Sequence, residues 1–374
     1  MEKTKVMLSA VCLFGLESLL GEEIKAMGFT NTETMDGRVF FEADIEDIPR
    51  VNINLRFAER VLILMGKFPA ATFTELFDGT NALPWEEWMP RDAEFPVKGH
   101  AIRSTLFSVP DCQKIVKKAI ATRLGSKYGM NILPEDGAKY QVEFFIFKDV
   151  AHLMIDTSGA GLHKRGYRPV ANDAPLRETL AAALVKISRP RENVLLWDPM
   201  CGSGTIAAEA ALMMTNTAPG INRSFVSESF DRIPASAWTD ARDEAIAAIR
   251  DTEFEVFASD VDKKSVEIAT ETIKRAGVSK YCKVFERDAL TITTEGRRGT
   301  IVCNPPYGER LSTKNEVEKL YAAMGKHFKT LDRWQIYILS SHEQFERHYG
   351  KRADKVRKLY NGMLKCGYYQ YFKN

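Results

Sequence analysis

The chain has 374 residues, 45% of them hydrophobic and 27% charged, with a formal net charge of +2. That length allows two or three domains, and the composition is that of a globular chain, which excludes a disordered tract, a fibre or a string of membrane spans. No stretch approaches the ~18 uninterrupted apolar residues of a membrane helix, and the near-neutral charge does not by itself announce a nucleic-acid partner.

Charge is unevenly spread, about −7 over residues 1–100, about +5 over 101–170 and about +4 over the rest. The cysteines at 12, 112, 201, 282, 303 and 366 are scattered, the nearest pair 21 positions apart. They offer no zinc spacing and no disulfide framework, as in reduced cytosolic chains. The histidines form no H-x-x-H or H-E-x-x-H pattern, so no metal is expected.

Lys3 and Lys5 precede the apolar run Val6 to Leu16, which mimics a secretory signal. Glu17, Glu22 and Glu23 follow without a small-residue cleavage site, so the expected location is cytoplasmic. Residues 4–13 read as a strand. Leu16, Leu19, Leu20, Ile24 and Met27 then follow helical spacing as far as Gly28. Residues 38–42 read as a strand, and 48–55 as a helix that tolerates Pro49 in its first turn. Together they predict a small ferredoxin-like β-α-β module over 1–58.

A second segment covers 59–158. Its clearest element is a helix over 111–124, with Ile115, Val116, Ala119, Ile120 and Leu124 as its apolar stripe. Lys114, Lys117, Lys118 and Arg123 line its other faces. A basic helix is commonly only a solvated face; it becomes an RNA phosphate contact if the rest of the chain calls for one. Residues 141–147 and 151–156 read as paired strands. The stretch 162–168 is a basic connector carrying Lys164, Arg165 and Arg168, placed either to touch a substrate or to tie domains together. A last segment, 159–374, opens with a helix over 176–187.

Val194 to Trp197 is a short apolar run, as expected of a parallel strand buried on both faces. It leads into Asp198-Pro199-Met200-Cys201-Gly202-Ser203-Gly204-Thr205, and Thr205 to Met214 reads as a helix. Strand, glycine turn and helix N-terminus make a ligand site at the carboxyl end of the strand. Asp198 suits a cationic amino-acid moiety better than a phosphate. The next acid at a strand end is Asp260, 62 residues on, whereas a dinucleotide fingerprint places one about 20 residues on. Asp260 is placed to accept both hydroxyls of a ribose, with Asp262 as competitor. Asp288 follows a third strand-like run, 283–287, and could accept from an adenine amino group. Each acid alone is more often a helix cap or a solvated strand end; the ordered series is worth more than its members.

The apolar run 300–303 ends in Asn304-Pro305-Pro306-Tyr307-Gly308. The exocyclic amine of a nucleobase is a poor nucleophile because its lone pair is spread into the ring. Acceptors aimed at its hydrogens localise that pair on nitrogen, and the Asn304 side-chain oxygen and Pro305 carbonyl can be such acceptors. Consecutive prolines fix φ and end the strand stiffly. Tyr307 offers a face on which an extruded base can stack, worth about 1–3 kcal/mol. The bland reading is a proline loop with a packing tyrosine, and without the glycine loop upstream it would be preferred. Strands over 334–339 and a hairpin over 356–372 complete the pattern.

The chain resembles the THUMP-domain guanine-N2 RNA methyltransferases. The resemblance rests on Cys12-Leu-Phe-Gly15-Leu16-Glu17, the basic mid-chain helix, the connector followed by Ala174-Pro175-Leu176-Arg177-Glu178-Thr179-Leu180, and the motifs 198–205 and 304–311. It matches the N-terminal half of the bacterial 23S rRNA guanine-N2 enzymes and their stand-alone relatives. It implies an α/β fold: a class I, Rossmann-like methyltransferase domain with a seven-stranded sheet whose last strand is antiparallel, preceded by an α+β ferredoxin-like and THUMP RNA-binding region. It also implies S-adenosylmethionine as cofactor, with Asp198, Gly202, Gly204 and Thr205 at the methionine part, Asp260 at the ribose, Asp288 at the adenine and Asn304 bordering the donor. Asn304, Pro305, Pro306 and Tyr307 would hold the target guanine. Lys114, Lys117, Lys118, Arg123, Lys164, Arg165 and Arg168 would meet RNA, 23S rRNA or tRNA. The fused enzymes carry a second methyltransferase half that this sequence does not contain. Chemistry alone leaves an adenine-N6 DNA methyltransferase open, and a non-catalytic RNA-binding or ribosome-assembly protein is a third reading.

Overall fold

In a computed structural model of the chain, residues 4–168, 176–308 and 314–372 are described. They form two compact units, one of Met1–Cys12, Leu20–Leu162 and Arg223–Glu244, the other of Leu13–Leu19, His163–Asn222 and Ala245–Asn374. Among the described residues no helix is long and apolar enough to cross a membrane, and all six cysteines are free thiols buried from solvent.

The first unit contains β1 (Lys5–Cys12), α1 (Glu17–Ala26, which begins in the other unit), β2 (Asn31–Met35), β3 (Arg38–Asp44), α2 (Asp47–Asn54), β4 (Ala58–Pro69), α3 (Phe73–Ala82), β5 (Val97–Ile102), α4 (Val109–Tyr128), β6 (Val142–Phe147) and β7 (Val150–Asp156). One sheet runs in the order β2-β3-β1-β4-β7-β6-β5. The 12-residue β4 pairs antiparallel with β1 through its first half and with β7 through its second, so one strand serves both parts that the sequence separates at 58/59. The predicted stripe of α4 is nearly as built. Cys112, Val116, Ala119, Ile120 and Leu124 are buried, with Cys112 taking the place expected of Ile115. Residues 223–244, which sequence order assigns to the catalytic part, pack here. Phe230 stacks on Tyr140 at 4.1 Å, Ser227 Oγ donates to the Thr157 carbonyl at 2.7 Å, and Arg223 donates to the Gly161 carbonyl at 2.8 Å.

The second unit holds α5 (Glu178–Ser188), β8 (Leu195–Asp198), α6 (Thr205–Met214), the end of α7 (Ala235–Ala247), β9 (Val256–Asp260), α8 (Lys263–Arg275), β10 (Cys282–Glu286), β11 (Gly299–Cys303), α9 (Lys314–Phe328), β12 (Trp334–Ser340), α10 (Phe345–Tyr349), β13 (Lys355–Asn361) and β14 (Leu364–Tyr371). Its sheet order is β10-β9-β8-β11-β12-β14-β13. The first five strands are parallel, and β14 is antiparallel to both its neighbours. β8 and β11 are buried along their whole length because both sheet faces are covered. On one face Trp197, Ile301, Ile336 and Ile338 pack with Val317, Tyr321, Met324 and Phe328 of α9. This doubly covered sheet with its antiparallel seventh strand is the class I fold that the resemblance implies.

Candidate active site

Strand register brings the singled-out residues to one edge. Trp197 of β8 lies opposite Ile301 of β11, so Asp198 and Asn304 both leave the sheet at its carboxyl edge. Asp198 lies opposite Ala258, and Asp260 opposite Glu286, so the ends of β8, β9 and β10 step along that edge and carry Asp198, Asp260 and Asp288.

The glycine loop turns on two residues with positive φ, Gly202 at 48° and Gly204 at 75°. A Cβ on Gly202 would meet nothing within 4 Å, which leaves its backbone open to a ligand. A Cβ on Gly204 would stand 2.9 Å from the Ala269 Cβ, so α6 can start against α8 only with glycine there. The Gly202 amide donates to Asp260 Oδ2 at 3.0 Å, and Asp260 Oδ1 accepts from the Asp262 amide at 3.1 Å. Asp260 therefore braces the loop. The competitor Asp262 is the N-cap of α8, accepting from the amides of Lys264 and Ser265. Thr205, the first residue of α6, is buried, its hydroxyl 3.0 Å from that of Ser203.

Asp198 is 1% exposed and accepts the Met200 amide at 3.3 Å. Burial pushes its carboxyl up to about 8, the Met200 amide opposing and the Asp260 charge adding. A buried carboxyl so placed fits a cationic ligand, which would favour its ionised form. Asp288 is exposed and accepts the Leu290 amide at 2.8 Å, opening a single 3-10 turn.

At the end of β11 the Tyr307 hydroxyl donates to Asn304 Oδ1. An amide oxygen has two lone pairs, so one acceptor position on Asn304 is left. Burial holds the Tyr307 hydroxyl well above the ordinary tyrosine range, with Cys366 and the Asn361 side chain beside it. The Pro306 carbonyl accepts from the Tyr321 hydroxyl at 2.8 Å, and Tyr321 also meets Ser340 Oγ at 3.1 Å. The Pro306 carbonyl is thus held by Tyr321 of α9, whose hydroxyl also meets the end of β12.

Sequence reading did not single out Tyr321, because a tyrosine on an apolar helix face looks like any core residue. Nor did it single out Val261, whose side chain is 64% exposed between two acids; an apolar residue at that place was the available signal. Of the resemblance motifs, Ala174, Pro175, Glu309, Arg310 and Leu311 lie outside the described residues.

The basic residues divide. Lys114 and Lys118 of α4 are exposed. Lys117 bonds Glu135 and the Phe95 carbonyl, and Arg123 makes a two-pronged pair with Glu86 at 2.6 and 3.0 Å. That pair holds the Glu86 carboxyl down at about 2. Arg165 is 5% exposed with its Nε 3.5 Å from buried Glu209, and Arg168 bonds Glu178 at 2.8 Å and the Leu176 carbonyl. Buried Arg165 and half-buried Arg168 thus each already face a carboxylate, which leaves their contact with RNA a proposal. Lys164, in the same connector, also has interactions of its own.

One group of potential metal ligands occurs among the described residues, Glu318 with His342 and His348, each Nε2 3.5 Å from Glu318 Oε1. The Gln344 amide donates to His342 Nδ1, which puts that ring's proton on the nitrogen facing Glu318.

Residues 165–370 match the RMKL-like methyltransferase domain. The chain belongs to this methyltransferase family. Residues 7–62 match the RlmL ferredoxin-like domain and 70–156 the THUMP domain, so the resemblance drawn from the motifs is borne out. A Bacillus subtilis (strain 168) relative named "Putative RNA methyltransferase YpsC" is 44% identical over 371 residues, 98% of this chain and 96% of its own length. The ribosomal RNA large subunit methyltransferase K/L of Psychromonas ingrahamii is 35% identical over 366 residues, 94% of this chain but 48% of its own; the chain spans about half the length of that relative. Among solved structures, SMU.472 complexed with SAH has a TM-score of 0.93 at 38% identity, covering 100% of this chain and 99% of its own. A Listeria monocytogenes protein titled "predicted N6-adenine-specific DNA methylase" has a TM-score of 0.93 at 45% identity, covering 99% and 97%.

Proposed function

We propose that this chain transfers a methyl group from S-adenosylmethionine to the exocyclic N2 amine of a guanine in RNA, with 23S rRNA as the substrate and tRNA as the other RNA to test. The observation that carries the reading is the pairing of β8 with β11, which sets the Gly202–Gly204 loop beside Asn304 and Pro305 on one sheet edge. The donor supplies an already activated methyl group, so no nucleophilic relay from the protein is required. Gly202, Gly204 and Thr205 would border its methionine part, with ionised Asp198 as counter-charge. Asp260 would accept the ribose hydroxyls, Asp288 the adenine amine, and exposed Val261 would cover the adenine face.

On the substrate side, the remaining lone pair of Asn304 Oδ1 and the Pro305 carbonyl would accept the two amine hydrogens. That would draw the nitrogen lone pair out of the ring as the N–C bond forms and the methyl–sulfonium bond breaks, the thioether leaving with that electron pair and the surplus amine proton passing to water. No hydrogen bond to the Pro305 carbonyl is found among the described residues. Alignment and fixed dipoles supply the rate. The domain division we propose is 1–58, 59–158 and 159–374, the second meeting RNA through Lys114 and Lys118.

The test is tritium transfer from labelled donor to total RNA of a strain lacking the gene, followed by nucleoside chromatography. N2-methylguanosine is expected, and the labelled RNA fraction names the substrate. Label found instead as N6-methyladenine in DNA would favour the activity named for the Listeria protein. No label in either would favour a non-catalytic RNA-binding role. Asn304→Ala is expected to abolish transfer while changing donor affinity by less than about threefold; retained turnover would remove Asn304 from the acceptor role.

A further inference from the structure

The β13–β14 hairpin is not used by the mechanism above, yet it ends at the same sheet edge. β12 runs parallel to β11, β14 antiparallel to β12, and β13 antiparallel to β14, so Asn361 emerges where Asn304 does. Asn361 and Cys366 neighbour the Tyr307 hydroxyl. The turn between Asn361 and Leu364 is Gly362-Met363, and Met363 is 97% exposed, the most exposed large apolar side chain among the described residues. Residues 355–366 carry Lys355, Arg357, Lys358 and Lys365 and no acid. Beside them Phe14, 51% exposed, meets Tyr360 edge-on at 5.9 Å, and Lys358 lies 5.2 Å over the Tyr360 ring.

That arrangement explains the opening motif around Gly15. Arg357 donates to the Gly15 carbonyl at 3.0 Å and to Ser18 Oγ at 2.8 Å. Gly15 has φ 89° and a Cβ there would come 2.8 Å from the Lys358 carbonyl, so only glycine lets this segment lie on the hairpin with Phe14 outward.

We propose that the hairpin tip is an RNA-contacting element of the catalytic unit, in which Met363 packs into the stack beside the extruded base while Lys358 and Lys365 meet the adjoining phosphates. The inference rests on the reading that an RNA base is methylated. Extruding a base costs the stacking and pairing it leaves and opens a gap in the stack. Apolar wedges fill such gaps in other nucleic-acid complexes, and a methionine side chain is flexible enough to fit varied neighbours. The uniformly basic flank selects a polyanion as the occupant.

Three full-length variants, Met363→Ser, Phe14→Ala and the pair Lys358→Glu with Lys365→Glu, test this on total RNA from a strain lacking the gene. Met363→Ser is expected to lower turnover at saturating RNA about tenfold or more, and the paired change to raise the RNA KM by a similar factor. Phe14→Ala should raise the RNA KM less than the paired change. Donor affinity and thermal midpoint should stay at wild-type values throughout. Wild-type kinetics in all three would overturn the proposal.

A photo-crosslinking residue at 363 reads the surface without turnover. Crosslinked RNA supports the contact of the tip with RNA; absence of RNA methylation by the wild type would instead sink the functional reading, and with it the place of Met363 beside an extruded base. Crosslinks to protein alone, or to nothing, would overturn it.

Discussion

Asp198 ends a strand that is buried throughout, and its carboxyl is held at about 8 in the ligand-free protein. Between the ordinary carboxylate value of about 4 and that value, the folded chain keeps a proton that the unfolded chain has lost. Stability from this group is therefore complete at low pH and falls as pH rises toward 8. Thermal unfolding of the ligand-free protein between pH 5 and 8 should show that slope, and Asp198→Asn should flatten it. Binding a cationic donor near pH 7 should expel up to about one proton in the wild type and fewer in the variant, which calorimetry in two buffers of different ionisation heat will read. Asp260 and Asp262 divide another way. Asp260→Ala should weaken donor binding about tenfold or more, whereas Asp262→Ala should lower stability through its lost cap and leave donor binding level; titration and urea unfolding of both variants separate the two. At this scale the sequence was informative about which acids stand at strand ends, because strand length fixes that. It was blind to side-chain direction: Arg165 and Arg168 look like surface charges in a basic connector, and only packing against Glu209 and Glu178 turns them inward.

The strongest periodic elements were readable in advance, α6 with its predicted limits of Thr205 and Met214, and α4 with all but one stripe residue. β2 is hard to read from sequence, since Thr32, Glu33 and Thr34 are polar and lie on the edge strand of the sheet. β4 was not read either, since its pattern passes from buried to exposed as its partner changes from β1 to β7. The clamp on the Pro306 carbonyl came from outside the motif. Tyr321 lies on α9 and fixes the Pro306 carbonyl, a contact made across many residues of chain. Tyr321→Phe keeps the ring in the core and leaves that carbonyl short of a donor, a cost of about 1–3 kcal/mol. If the clamp aims the loop, single-turnover methyl transfer should fall about tenfold while donor affinity stays level. An unchanged rate would reduce Tyr321 to a packing role.

Across the whole molecule, the basic residues expected on RNA fall into two groups by their partners. Among the described residues Lys114 is paired only with Asp111 on its own helix, at 3.6 Å with both side chains exposed, and Lys118 is exposed. Replacing both by alanine should weaken RNA binding and shrink the salt dependence of log K by about 1 to 2, as counterion release per phosphate requires. Replacing Lys117 or Arg123 should instead loosen the first unit, since Glu135 loses its lysine and Glu86 is left with Lys127 at 3.4 Å; salt-series binding and unfolding curves distinguish the groups. The division into two units was only partly legible, because composition does not reveal that a stretch midway through the catalytic part packs elsewhere. Residues 13–19 belong with the second unit and 223–244 with the first. A ribosome making this protein from its N-terminus therefore cannot finish one unit before starting the other. Tyr140 waits for Phe230 until some ninety further residues have been joined, and the second unit's earliest segment is made before nearly all the rest of it. Until Phe230 clears the exit tunnel, the Tyr140 ring of the nascent first unit is without its stacking partner, the interval in which a chaperone would have most to hold.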